Sequence, residues 1–478
     1  MTMQPPLIFR AARPWLLPIA TAAALSACAV GPDYERPGAA SPAAFKEAPQ
    51  GAAGWFPAAP ADALERGPWW ELFGDAELNK LAAQVEVSNQ NVAAAVAAYA
   101  QARALVAQQR AALFPTIGLD ASATRSGGAG SVSTGNRLQL GANASWEPDI
   151  WGALRRGVEG AQASAQASAA DLAAARLSAQ GELATDYFAL RAADAQIALT
   201  RSSVEGYERS LKITQDRYAA AIAAKTDVLQ AQTLLDSTRA NLATLAITRA
   251  QLEHAIAVLI GKAPAEFALP VADWNTAVPA VPLGVPSQLL QRRPDIASAE
   301  RAVAAANATI GVQRSAYFPA LTLSGSYGNA GSRLADLIGA STSLWSLGLS
   351  AAQTIFDAGA THARVEGAEA ARDAAVARYR QTVLSAFQSV EDQLSATRAL
   401  AEQAELRRAA SEAADLAEQQ QLNRYKAGQV SYTEVVTAQA SALSARRTVA
   451  QLASNRQAAA IALIQALGGG WHAAPALP

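Results

Sequence analysis

Apolar and polar residues alternate in four short stretches of the chain. These stretches are 117–124, 138–146, 321–327 and 345–350. A period of two over that many residues predicts strands with one apolar and one polar face. Segments rich in glycine, serine and asparagine, at 126–136 and 329–342, separate the members of each pair. The pattern therefore predicts two β-hairpins.

Two much longer stretches are helical in character and contain no proline. They run from Ala153 to Tyr218 and from Ala360 to Tyr425, and each would be about 100 Å long as an α-helix. Val376, Val383 and Val390 recur at every seventh position of the second stretch, which is the spacing of a coiled coil. Alanine fills many other positions and allows neighbouring helices to approach closely.

Four shorter helical stretches accompany the long ones. Two of them, Asp227–Ile260 and Glu434–Leu467, follow the long stretches after a brief break, and the other two, 75–113 and 286–316, precede the predicted hairpins. Each is about half as long as a long stretch, so two of them stacked end to end would cover one long helix. The expected unit is a two-column helical hairpin with strands at one end and a tight turn at the other.

The same order of elements occurs twice along the chain. Its clearest matches are Leu113-Phe114-Pro115 with Tyr317-Phe318-Pro319 at a distance of 204 residues, and Arg217-Tyr218 with Arg424-Tyr425 and Gly261 with Gly468 at a distance of 207. A register kept over roughly fifty residues indicates an internal duplication, with a period far too long for a solenoid.

The N-terminus has the features of an export signal. Residues 1–27 combine arginines, an apolar stretch and small residues, as a secretory signal peptide does. Leu25-Ser26-Ala27-Cys28 resembles the lipobox of bacterial lipoproteins, so Cys28 is predicted to become the first mature residue and to carry acyl chains, palmitate included, that anchor the chain without spanning the bilayer. Ala29 is not the aspartate that commonly retains lipoproteins at the inner membrane, which favours the outer membrane.

These features predict six segments. They are a lipoprotein signal peptide (1–27), a lipidated extended segment (28–66), a first structural repeat (67–270), a linker (271–285), a second structural repeat (286–470) and a C-terminal tail (471–478).

Composition narrows the class of protein. The 478 residues are 51% hydrophobic, only 6% aromatic and 17% charged, with a formal net charge of −1 and no basic block, so a nucleic acid partner is not expected. No stretch after the N-terminus reaches the roughly 18 apolar residues that a spanning helix needs. Four strands cannot close a membrane barrel, for which about eight is the minimum. The hairpins are therefore either soluble or shared by several chains, and three chains would supply twelve strands.

Catalytic and metal sites are not indicated. Cys28 is the only cysteine and the three histidines are far apart in sequence, which leaves no disulfide and no Cys/His zinc cluster. The glycine-rich stretch 324–328 has no phosphate-binding lysine after it, and Gly261-Lys262-Ala263 lacks the Ser/Thr of a P-loop. The chain is predicted not to be an enzyme and to need no cofactor.

Four groups of residues together resemble the TolC-like outer membrane efflux channel family, in its lipoprotein branch. They are Val30-Gly31-Pro32-Asp33-Tyr34, Leu72-Phe73-Gly74-Asp75 with Leu78, the stretch from Leu290 to Ile296 with Ala299-Glu300, and the two Phe-Pro strand entries. The resemblance covers residues 28–470. It implies a mainly α chain with a small β part, in which coiled-coil hairpins build an α-barrel through the periplasm. It also implies a homotrimer whose twelve strands form one outer membrane β-barrel.

The implied function is that of the exit duct of a proton-driven tripartite efflux pump, which passes small toxic compounds, drugs or metals from the periplasm to the exterior and confers multidrug resistance. The implied partners are a periplasmic adaptor protein, an inner-membrane pump and outer membrane lipid. Two alternatives remain, a duct for secreted polypeptides and a structural periplasmic coiled-coil lipoprotein. The sequence does not name the exported compound.

The breaks after the long helices are the candidate functional segments. Asp227 and Glu434 begin helices, where carboxylates favour the N-terminal dipole. The resemblance implies that Asp227 and Tyr425 hold the periplasmic end closed and that Glu434 belongs to a selectivity ring of acids. It also implies that the turns dock the adaptor, through Ala221, Ile222, Gly428, Gln429 and Val430.

Two departures from the family pattern affect this gate. The family pattern taken from the best-studied channel has an arginine where this chain has Val430 and a second acid where it has Thr437. We therefore expect a less ionic gate and a weaker acidic ring, with Lys225 and Lys426 as alternative pairing groups.

Overall fold

The computed structural model describes residues 29–39, 42, 44–47, 68–127, 135–281 and 292–469. The predictions of a signal peptide, of lipidation at Cys28 and of the tail 471–478 therefore concern residues outside this part of the chain.

The described chain is mainly helical, with one small sheet. In order, its elements are a 3₁₀ turn (Trp69–Phe73), α1 (Ala76–Ser88), α2 (Gln90–Ala111), β1 (Thr116–Ser126), β2 (Gly135–Trp146), α3 (Ala153–Ala219), α4 (Lys225–Leu259), α5 (Pro294–Ser315), β3 (Ala320–Gly331), β4 (Ser343–Ala352), α6 (Ala360–Lys426) and α7 (Tyr432–Ala466). This confirms the predicted fold class of the chain, a mainly α architecture with four strands.

The four strands form one antiparallel sheet in the order β1-β2-β3-β4. Ile117 lies opposite Ala144 in the first hairpin, Trp146 opposite Leu323 between the hairpins, and Leu323 opposite Leu349 in the second. Strands β1 and β4 are the outer strands, so each has an edge without a partner strand among the residues that the structure describes. Strand β3 extends to Gly331, which is further than the loop expected from Asn329.

The long helices match the prediction to within a residue or two. Helices α3 and α6 have 67 residues each, and α4 and α7 have 35 each. Both pairs begin 207 residues apart, the same distance that separates the repeated Arg-Tyr motifs. Helices α2 and α5 have 22 residues each and begin 204 residues apart. Equal elements thus recur at the offsets that the sequence shows.

One predicted helix is in fact two. The stretch 75–113 was expected to be continuous, but Asn89 has an extended backbone and separates α1 from α2. Its side-chain oxygen accepts hydrogen bonds from the backbone N–H groups of Asn91, at 2.9 Å, and Val92, at 3.1 Å. Asparagine is a favoured helix N-cap for this reason. The prediction of one continuous helix was wrong because the break consists of the single residue Asn89, and the sequence on both sides of it keeps a helical pattern.

The ends of α4 and α7 meet the shorter helices in equivalent ways. Asn89 Nδ2 donates to the Leu259 carbonyl at 2.8 Å, and Arg293 Nη1 donates to the Ala466 carbonyl at 3.2 Å. Each bond pairs a last-turn carbonyl, which has no partner within its own helix. Gly261 follows α4 with φ +72°, and a Cβ there would lie 2.2 Å from the Ser88 carbonyl oxygen. Only glycine allows this close approach.

The chain divides into two compact units. The first contains the described residues up to 38 together with 99–167 and 299–379, and the second contains the remainder. Each unit takes residues from both predicted repeats, so the units cut across the repeats. The repeat boundaries themselves stay a prediction.

In the first unit, residues 29–36 form a strap along α3 and α5. The Val30 N–H donates to the Trp151 carbonyl at 3.0 Å, and Tyr34 Oη donates to Glu300 at 2.7 Å. A Cβ on Gly31 would lie 2.5 Å from the Cα of Gly311, so two glycines set the separation of strap and helix. The motif that begins at Val30 is thus a packing motif.

The second unit has a core of aromatic and aliphatic side chains from the 3₁₀ turn, α1, α3, α4 and α7. Phe73 packs on Phe188 with ring centroids 5.0 Å apart. Tyr187 Oη donates to Asp75 at 2.8 Å, and the same carboxylate caps α1 by accepting from the backbone N–H groups of Glu77 and Leu78. The Leu72-Phe73-Gly74-Asp75 motif therefore starts α1 and fixes it to α3.

None of the described helices is both long enough and apolar enough to cross a membrane. Within the same residues, no group of three or more His, Cys, Asp or Glu side chains is placed to hold a metal ion.

Candidate functional site

The tips of the two helical hairpins have the same backbone turn. The first tip, residues 217–228, joins α3 to α4, and the second, residues 424–435, joins α6 to α7. Ala221 has φ +61° and Gly428 has φ +71°, and these residues are 207 apart. The next N–H donates back to the helix in both tips, Ile222 to the Arg217 carbonyl at 2.8 Å and Gln429 to the Arg424 carbonyl at 2.9 Å. This left-handed cap is a common helix end. At the first tip this position is an alanine, whose Cβ makes the left-handed conformation sterically less favourable than it is for glycine.

Tyr425 lies inside a cluster of apolar side chains at the tips. This tip cluster comprises Val204, Tyr207, Leu211, Ala231, Leu235, Tyr425, Tyr432, Val435 and Leu443. The rings of Tyr425 and Tyr432 meet edge to face with centroids 5.0 Å apart. Both side chains are buried, and burial raises the pKa of Tyr432 to about 12. The cluster joins α3 and α4 to α6 and α7.

Arg217 lies over the Tyr425 ring. Its guanidinium carbon lies 4.9 Å from the ring centroid, which is a cation–π contact. Its Nη1 donates to the Lys426 carbonyl at 3.2 Å. Sequence reasoning noted Arg217-Tyr218 and Arg424-Tyr425 as a repeat but gave Arg217 no role. The recurrence of arginine next to tyrosine at both tips was the available signal.

The tip carboxylates stand apart from these contacts. Asp227 is half-buried and Glu434 is exposed, and both lie in the first turn of their helices, as predicted. Neither carboxylate makes a hydrogen bond or an ion pair with any residue that the structure describes, and the ammonium groups of Lys225 and Lys426 do not pair with them. One chain therefore does not bring the expected gate acids and bases together.

The Tyr425 hydroxyl is also without a partner. It is buried, and no acceptor or donor among the described residues lies within hydrogen-bond distance of it. An unpaired buried hydroxyl costs free energy. Among these polar groups of the tips, the Tyr425 hydroxyl is buried and unpaired, whereas the carboxylates of Asp227 and Glu434 remain accessible to solvent.

Four of the five predicted docking residues are accessible. Ala221, Ile222, Gly428 and Gln429 are exposed, and the apolar side chain of Ile222 is 66% exposed. Val430 differs, since it is half-buried and packs against the tip cluster. The turns therefore present a small exposed surface, with Val430 at its boundary.

Polar contacts also join the two helical hairpins outside the tips. Tyr207 Oη donates to the Gln439 carbonyl at 3.0 Å, and Gln439 Nε2 donates to Ser210 Oγ at 3.3 Å. Both bonds join α3 to α7. The contacts hold the hairpin of the first repeat to that of the second.

Comparison with known proteins agrees with this architecture. Cation efflux system protein CusC of Escherichia coli (strain K12) is 30% identical over 459 residues, covering 95% of this chain and 99% of the relative. Toluene efflux pump outer membrane protein TtgC of Pseudomonas putida is 30% identical over 463 residues, covering 95% and 94%.

Solved structures of similar chains have the same fold. The outer-membrane channel OprN superposes with a TM-score of 0.82 at 32% identity, covering 93% of this chain and all of that one. The open state of the MtrE outer membrane channel of Neisseria gonorrhoeae superposes with a TM-score of 0.81 at 28% identity, covering 93% and 98%. The model of the outer membrane efflux protein family matches residues 81–262 and 285–469. The chain therefore belongs to the outer membrane efflux protein family.

Proposed function

We propose that the protein is the outer membrane channel of a tripartite efflux pump. In this role it passes small toxic compounds, drugs or metals from the periplasm to the exterior. Family membership supports this role, as do relatives named for the efflux of cations and of toluene. Cys28 would carry the lipid anchor at the mature N-terminus.

The open sheet is the observation that carries the proposal. On β1 and β4, Ile117, Leu119, Leu347 and Leu349 are each more than 70% exposed. Apolar side chains at alternate positions suit a lipid-facing strand, but four strands with two free edges cannot stand in a bilayer. A homotrimer resolves both problems, since β4 of each chain would pair with β1 of the next and twelve strands would close one barrel.

In the homotrimer, the hairpin tips would meet at the periplasmic end. There, Asp227 and Glu434 would supply six carboxylates near the axis, an arrangement that favours cations over anions. Asp227 and the Tyr425 hydroxyl, which make no hydrogen bond with the residues that the structure describes, would help to hold the tips closed. Ala221, Ile222, Gly428, Gln429 and Val430 would receive the adaptor protein, through which the channel connects to an inner-membrane pump.

The test uses the full-length protein purified from outer membranes. We expect three chains by native mass and ion conductance in planar bilayers. A strain without the gene should become more susceptible to drugs or metals while its secreted proteins stay unchanged. A single-chain mass without conductance would refute the channel, and a loss of secreted proteins alone would identify a polypeptide duct instead.

A further inference from the structure

The contact between Arg217 and Tyr425 is made in one direction only. Arg217 belongs to the tip of the first repeat and Tyr425 to that of the second. Their counterparts at the offset of 207 are Arg424 and Tyr218, and these two residues do not stack on each other within the described chain. Tyr218 is 47% exposed and Arg424 is exposed. The Arg424 guanidinium has no partner among the residues that the structure describes.

We propose that Arg424 of one chain stacks on Tyr218 of the next chain. The partner is a second copy of this chain, so the inference rests on the homotrimer proposed above. In a closed ring of chains with two like hairpins each, first and second tips alternate. The contact of a first tip on a second tip inside a chain then recurs as the contact of a second tip on the first tip of the next chain.

Each group of the contact between Arg217 and Tyr425 has a counterpart in the proposed contact between chains. Arg424 replaces Arg217 as the cation, and Tyr218 replaces Tyr425 as the ring. The carbonyl of Ala219, in the last turn of α3, replaces that of Lys426 as the acceptor. The turns that set the position of these groups also match, with Ala221 and Gly428 both left-handed. The interchain contact therefore consists of a cation–π stack and one hydrogen bond.

The residue beside the stacked ring differs between the two copies of the contact. Inside a chain, the Tyr425 ring also packs on Tyr432. At the offset of 207, the counterpart of Tyr432 is Lys225, which is exposed. The interchain copy thus lacks the second ring and brings a lysine ammonium near the Arg424 guanidinium. It is the weaker copy, so the tips separate between chains before the two hairpins of one chain separate.

Cross-linking in outer membrane vesicles tests the contact. The variant Tyr218→Cys/Arg424→Cys is treated with a short bismaleimide and run on a denaturing gel. The matched control is Arg217→Cys/Tyr425→Cys, whose two thiols belong to the contact inside a chain. The parent protein, in which Cys28 is the only cysteine, is treated identically. Native mass is measured for each variant before treatment.

We expect covalent species with the mass of two and three chains from Tyr218→Cys/Arg424→Cys, and only single chains from the control and the parent. A trimeric native mass with no multi-chain product would overturn the contact while leaving the proposed channel intact. Multi-chain products of equal yield from Arg217→Cys/Arg424→Cys would overturn it as well. Those two residues are equivalent positions of the two tips, and the proposed contact does not bring them together. A single-chain native mass of the parent would refute the homotrimer and this contact together.

Discussion

Arg217 lies over the ring of Tyr425, with its guanidinium carbon 4.9 Å from the ring centroid. Tyr432 packs against the same ring with its centroid 5.0 Å away. The Tyr425 hydroxyl, by contrast, is buried without a partner in the described chain. The ring and the hydroxyl of this residue thus have separate roles. The ring joins the two helical hairpins of one chain, whereas the hydroxyl makes no hydrogen bond with the residues that the structure describes.

This separation leads to a prediction about the gate. Asp227→Ala combined with Tyr425→Phe should raise the single-channel conductance in planar bilayers, because it removes the carboxylate and the hydroxyl that are proposed to hold the tips closed. Phenylalanine keeps the contacts with Arg217 and Tyr432, so the trimer should keep its thermal stability. A conductance equal to that of the parent, from a trimer of unchanged stability, would refute the assignment of Asp227 and Tyr425 to the gate.

The fold was largely predictable because its elements have strong periodic patterns. Period-two alternation at Ile117, Leu119, Leu347 and Leu349 indicated strands, and the chain has them. The absence of proline between Ala153 and Tyr218 indicated one long helix. The break at Asn89 was not predictable in the same way, since the pattern on both sides is helical and only the side-chain cap distinguishes the break.

The site was less predictable, because its contacts join residues far apart in sequence. Arg217 and Lys426 are 209 positions apart, and nothing in the sequence around either indicates their hydrogen bond. Val430 was expected to be a docking residue on its position in the turn, but its side chain packs on the tip cluster. That cluster includes residues of α3 and α4, which lie outside its own hairpin.

A second prediction concerns a buried ionic cluster of the second unit. Asp194 accepts from Arg249 Nε at 2.6 Å and lies 3.5 Å from Arg191 Nη1. Arg191 also donates to the Pro270 carbonyl and Arg249 to the Leu269 carbonyl. Asp194→Asn should destabilise the fold by about 3–5 kcal/mol, because it leaves a buried arginine uncompensated. Thermal unfolding followed by circular dichroism measures the effect.

The matched control for Asp194→Asn lies on the same helix. Asp216 pairs with Lys212 at 2.8 Å, and both side chains are more than 60% exposed. Asp216→Asn should change stability by less than about 1 kcal/mol, as is usual for exposed ion pairs. Equal melting temperatures of the Asp194→Asn and Asp216→Asn variants would show that the buried cluster does not stabilise the fold.

A third prediction concerns pH. Burial, and next the charge of Glu182, raise the pKa of Asp186 to about 6, above the roughly 3.9 of an unfolded chain. Between those values the folded state binds more protons than the unfolded state, so stability falls as pH rises from about 4 to about 6 and is then level. Asp186→Asn should abolish this fall and raise the melting temperature at pH 7.

Melting temperatures measured from pH 4 to pH 7 test this dependence. Asp171→Asn is the control, since Asp171 is an exposed aspartate of the same helix, and its curve should run parallel to that of the parent. If the Asp186→Asn curve is also parallel to that of the parent, Asp186 is not the titrating group.

The last prediction concerns the strap. A Cβ on Gly311 would lie 2.8 Å from the Val30 carbonyl oxygen, whereas a Cβ on Gly367 would have no atom within 4 Å. Both glycines are helical, so alanine favours the helix equally at both sites. Gly311→Ala should therefore speed hydrogen exchange of the Val30 N–H, which is bonded to the Trp151 carbonyl, while Gly367→Ala leaves it unchanged. The same exchange rate in both variants would mean that the strap is not held by this close approach of strap and helix.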